Sequence, residues 1–103
     1  MPLGSSNSAQ PTAGTTQATA SPTLADHVTV PTVGAGEGVI LTPGNASDIR
    51  TVANDDQDSE LLVYPPVGSQ FNGYTVNIPL NLPRATAALF VFTSPTKIMA
   101  IFS

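Results

Sequence analysis

The side chains that could do chemistry are few and scattered. His27 is the single histidine, and histidine is the side chain whose ordinary pKa lies near neutrality. It stands in the run DHVTVPTV, in a chain without cysteine, and no nucleophile or carboxylate stands at a spacing that would pair with it for catalysis. It reads as a strand residue, solvated or hydrogen-bonded, rather than as a general base or ligand. The run Asp55-Asp56-Gln57-Asp58-Ser59-Glu60 is the only charge cluster. With Asn54 it offers the oxygens that calcium prefers, but it lacks the glycine and the closing glutamate of an EF-hand loop. A polar turn between two strands accounts for it. Gly34-Ala35-Gly36-Glu37-Gly38 invites a phosphate-loop reading, which needs a following helix whose N-terminal amides face the anion. The residues that follow, VILTPG, are β-branched and then broken by Pro43-Gly44. Asn45-Ala46-Ser47 matches a glycosylation sequon, which has meaning only on a secretory route. No catalytic residue, cofactor or metal is expected. Function is expected to lie in surfaces, assembly and attachment.

Composition narrows the partners. Of 103 residues only 10% are charged, three basic against seven acidic, for a net charge of −4. The surface must then be built from Thr, Ser, Asn, Gln, Gly and Pro, which suits contact with protein. Nucleic acid is not an expected partner, because it demands clustered Lys and Arg to displace counterions. A membrane is not expected either, since no apolar run approaches the roughly 18 residues that a span needs. Nor does the N-terminus carry the basic region and apolar core of a signal peptide. With no disulfide possible, a foldable part of about 70 residues buries only about 60–65% of its unfolded surface and gains from oligomerisation.

The elements that would position any surface are strands. Residues 1–25 are low in complexity, with Leu3 and Leu24 the only large apolar residues beyond the initiator. Such a segment cannot offset its own chain entropy and is expected to be disordered in isolation, an arm ending near residue 30 that lies extended only on a neighbouring chain. Strands are expected from alternation at residues 26–33, 39–42, 47–54 and 61–64. Asn72-Gly73, between Phe71 and Tyr74, predicts a type I′ hairpin turn with those two rings paired across it. In residues 75–82 Val76, Ile78, Leu80 and Leu82 share one face, a burial on the order of 6–12 kcal/mol before entropy. In residues 86–93 Leu89 and Val91 oppose Phe90 and Phe92, and residues 98–102 are again apolar on both faces. Two-faced strands must be covered twice. The second cover is expected to be another subunit, with Leu89, Phe90, Val91, Phe92, Ile98, Ile101 and Phe102 at the interface. The expected fold is all-β, a small antiparallel sandwich or barrel over residues 31–103 behind an arm of residues 1–30.

From Gly38 onward the chain resembles a recurring β-module of tailed-bacteriophage virion proteins. The likeness runs through Gly38-Val39-Ile40-Leu41, Val52-Ala53-Asn54 and Val63-Tyr64-Pro65-Pro66-Val67-Gly68-Ser69-Gln70-Phe71-Asn72-Gly73. Residues 87–93 and 96–100 match it loosely as the closing strands. Phe71 stands where an aliphatic residue is more usual, and no tryptophan closes the last strand. The resemblance implies a virion structural protein, frequently a trimer, located on the capsid and made in the host cytoplasm. A short chain with one β-domain and an arm is similar to a capsid decoration or cement protein, whose partner is the major capsid protein. Anchoring would then fall to Leu3, Pro11, Pro22, Leu24, Val28 and Val30. A head-fibre, neck or tail-fibre component is the alternative that the same resemblance allows. A carbohydrate-binding module using Tyr64, Tyr74 and residues 55–60 is an alternative of another class.

Overall fold

Alternation of β-branched and polar residues runs along most of the chain, and strands are what form. The computed structural model describes residues 6–102. In chain order the strands are β1 (Ser6–Asn7), β2 (Ser21–Pro22), β3 (His27–Val30), β4 (Gly38–Ile40), β5 (Ile49–Asn54), β6 (Leu61–Tyr64), β7 (Gln70–Phe71), β8 (Leu80–Leu82), β9 (Thr86–Ser94) and β10 (Lys97–Phe102). Among the described residues there is no helix. The protein is all-β.

Two sheets share these strands, the larger in the order β1-β3-β5-β9-β10-β7 and the smaller in the order β2-β4-β6-β8. As far as β8, successive strands alternate between the sheets, so the chain winds as a coil. Three turns of it stack in register. In the larger sheet Ser6 lies beside His27 and His27 beside Thr51. In the smaller, Ser21 lies beside Val39 and Val39 beside Val63. All four of these pairings are parallel, which corrects the antiparallel expectation for this half of the molecule. Period two shows which residues form a strand and which face is buried. It does not say which neighbour a strand takes, because the connections decide direction. Antiparallel strands then close the stack, β8 on β6, β9 on β5 and β10 on β9.

A single core draws on both sheets. Val28, Val30, Val52 and Phe90 enter it from the larger sheet and Val39, Val63, Leu80 and Leu82 from the smaller. The rings of Phe71 and Phe90 meet with centroids 5.3 Å apart. At one rim the buried Arg50 guanidinium lies 5.4 Å from the centre of the Phe92 ring. It donates to the Pro43 carbonyl at 3.1 Å and stands 3.6 Å from Asp26 and 3.9 Å from Asp48.

The expected boundary at residue 30 does not divide the structure. Residues 6–30 supply β1, β2 and β3, and Val28 and Val30 are 3% and 0% exposed. The first coil folds on few side chains because the second offers it two strand edges, and backbone groups pair there whatever the side chains are. Its chief polar staple is Gln10, buried to 1%. The Gln10 Nε2 donates to the carbonyls of Pro11 and Pro22, each at 3.0 Å, and its Oε1 accepts the Leu24 N–H at 2.8 Å. Gln17 donates to the Pro65 carbonyl at 2.9 Å, and the Tyr64 hydroxyl donates to the Thr15 carbonyl at 3.2 Å.

Two further expectations are corrected. Residues 75–82 do not form one strand. Leu80 and Leu82 are in the core, while Val76 and Ile78 are 48% and 46% exposed. Asn77 breaks the run with a φ of 68°, a left-handed conformation that asparagine tolerates. Its Oδ1 accepts the Gly68 N–H at 2.7 Å. Asn72-Gly73 does form a turn, with the Tyr74 N–H donating to the Phe71 carbonyl at 3.1 Å. However, Gly73 has a φ of 80° and Asn72 is not positive, the pattern of type II rather than type I′. The strands on either side leave for different sheets. Phe71 and Tyr74 still meet, edge to face at 6.3 Å.

Candidate interaction surface

Strand parity turns one side of β9 and β10 inward and the other outward. Phe90, Phe92 and Ile98 are 0%, 1% and 1% exposed. These three are core residues of their own chain, which corrects their expected place at a subunit interface. The smaller sheet already covers that face. On the other face Leu89 and Val91 are half-buried, while Met99 and Ile101 are 43% and 52% exposed. Phe102, opposite the buried Ala88, has the inner parity but lies at the strand end and is 45% exposed. The ladder aligns the outward residues in rows. Ile49, Val91 and Met99 lie opposite one another across β5, β9 and β10, and so do Thr51, Leu89 and Ile101. Directly opposed side chains in a sheet are within contact distance. A depression of about 230 Å³ between Leu89, Ile101 and Phe102 is bordered by Thr51 and Ala87.

The same face becomes polar toward the first coil. His27 continues the row from Thr51, its Nδ1 lying 2.9 Å from the Thr51 hydroxyl, and Ser6 follows it in β1. The outer face of the larger sheet is thus apolar over β9 and β10 and hydroxyl-rich over β1 and β3. Neither row contains an Asp, Glu, Lys or Arg. The surface can exclude water against another apolar face, with each covered aliphatic or aromatic side chain contributing on the order of 1.5–3 kcal/mol.

The expected anchoring residues do not share a face. Leu3 lies outside the described residues. Pro11 and Pro22 are exposed, and Leu24 is 61% exposed, whereas Val28 and Val30 are buried in the core. A second apolar depression went unread in the sequence. Pro22, Ile40, Pro43, Pro66, Val67 and Pro95 line a groove of about 400 Å³. Its signal was available in part, since three of those prolines stand at or just beyond the ends of strands.

The residues of the carbohydrate alternative are not brought into one site. Tyr64 is 4% exposed, and Tyr74 packs on Phe71 at the turn. The acidic loop is occupied with its own backbone. Asp56 accepts the Val33 N–H at 2.9 Å, the Asp58 N–H at 2.8 Å and the Ser59 N–H at 3.0 Å. These bonds, that from Val33 first, hold its carboxyl below the ordinary aspartate value of 3.8, since an N–H donor favours the charged form. Buried Asn54 ties the loop to β8 by donating to the Ser59 carbonyl at 2.8 Å and the Leu82 carbonyl at 3.2 Å. Among the described residues no three His, Cys, Asp or Glu side chains are grouped to hold a metal ion. No helix among them is long and apolar enough to cross a membrane.

Compared with known proteins, the chain matches no family model, no curated protein and no solved structure.

Proposed function

We propose that this chain is a structural subunit of a tailed-bacteriophage virion, a homo-oligomer that decorates or cements the exterior of the capsid. The observation that carries a structural role is the apolar outer face of β9 and β10, with Ile49 in the same rows. A face of this kind, left open on a small domain, favours a protein neighbour. The resemblance of the stretch from Val63 to Gly73 supports the virion setting, and it makes a trimer the favoured oligomer and the major capsid protein the partner. Attachment then belongs to exposed apolar groups of the folded domain, Leu24 among them, rather than to a free arm.

Electron microscopy of virions carrying a tagged copy tests the setting. Hundreds of copies spread over the head support decoration, and a few copies at one vertex support a neck or fibre component. Absence from the particle overturns the proposal. Val91→Asp, outside the core, should leave the domain folded and lower its occupancy on the particle at least about tenfold.

A further inference from the structure

The larger sheet has an edge that its own chain leaves open. β7 covers only Lys97 and Ile98 of β10. On that side the Ile98 carbonyl accepts the Asn72 N–H at 2.9 Å, and the Ala100 N–H donates to the Asn72 side-chain oxygen at 2.8 Å. The alternation of an antiparallel ladder turns the Ala100 carbonyl and the Phe102 N–H the same way, beyond the reach of β7. Met99, Ile101 and Phe102 flank this edge and are 43%, 52% and 45% exposed. Residues 98–102 contain no charge and no proline, the devices that ordinarily stop a strand edge from pairing.

We propose that this edge is a contact between two copies of the chain, in which β10 pairs antiparallel with β10 of a second copy about a two-fold axis at Ile101. In that register Ala100 of each copy faces Phe102 of the other. The Phe102 N–H then donates to the opposite Ala100 carbonyl, so the two groups each chain leaves free satisfy one another twice. One strand supplies both halves of the match, as an isologous contact requires. The outer apolar rows of the two copies become continuous across the axis, with no like charges brought together. Asn72 limits the contact, because its side chain holds the Ala100 N–H that a full ladder would also use.

The inference rests on the self-association proposed above and makes its unit a two-fold pair in place of the trimer that the resemblance favours. Sedimentation equilibrium of the full chain and its variants over a range of concentrations tests it. The wild type is expected to be a dimer. Phe102→Pro removes an N–H that β9 does not use, so the domain should keep its melting temperature while the dimer dissociation constant rises at least about tenfold. Phe102→Ala, which keeps the N–H, should weaken the dimer less. Asn72→Ala frees the Ala100 N–H and should tighten it severalfold. A wild type that stays monomeric, or a Phe102→Pro variant whose mass is unchanged, overturns the edge pairing. A trimer indifferent to Phe102→Pro does so while leaving the virion role standing, and that role fails separately if the particle lacks the protein.

Discussion

Gln10 and Asp56 each organise backbone that has no partner of its own, and each suggests a measurement. Gln10 satisfies the Pro22 carbonyl and the Leu24 N–H from within the domain. Gln10→Ala leaves both of these part-buried groups without that partner, so unfolding by urea should show a loss of about 1–3 kcal/mol. Asp56 works through charge. Its carboxyl sits below the ordinary value of 3.8 because N–H donors from Val33, Asp58 and Ser59 favour the ionised form. A depressed carboxylate contributes stability that is fully present above its unfolded value and is lost as pH falls through the folded one. Melting temperature should therefore drop below about pH 3.8. Asp56→Asn should lower it at neutral pH and flatten that part of the acid decline. The acidic cluster was legible in the sequence as a turn. That Asp56 would reach Val33, at the end of the neighbouring coil, was not, because the contact depends on β3 and β5 lying side by side.

β9 is the element that the sequence described best and the one whose neighbours it described least. Alternation of Leu89 and Val91 against Phe90 and Phe92 marks a strand with two apolar faces. Nothing in that alternation says which face meets the chain's own smaller sheet. The structure sends the rings inward, so Phe90→Ala should cost about 3–5 kcal/mol. Val91→Ser, on the outer face, should cost the isolated domain little, about 0.5 kcal/mol, in the same melt. Residues 75–79 show the opposite error. Their pattern is as regular as that of β9, yet Val76→Ser and Ile78→Ser should each change stability by no more than about 0.5 kcal/mol. Asn77 in a left-handed conformation, held by the Gly68 N–H and by Gln17, ends the strand pattern locally. The Gln17 bond comes from sixty residues away in the chain, where no local pattern could register it.

For the whole molecule, three stacked coils and an antiparallel closure make the N-terminal segment part of the fold. Removal of residues 2–25 should therefore do more than detach an arm. It strips β1 and β2 from β3 and β4, leaves those two strand edges unpaired, and should lower stability by several kcal/mol in a thermal melt followed by circular dichroism. A truncated chain with an unchanged melt would restore the free-arm reading. By itself the sequence determined the all-β class, most of the longer strands and the polar character of the acidic turn. These follow from near-neighbour periodicity and from residue conformational preference, both local properties. Only the tertiary structure decided that strands of the first three coils pair in parallel and that Ser, Thr and Gln could hold the first coil in place. It also decided which face of β9 and β10 stays outside. Those outcomes depend on which strand edge lies within hydrogen-bonding reach of which, and strands from β1 to β10 meet there across the length of the chain.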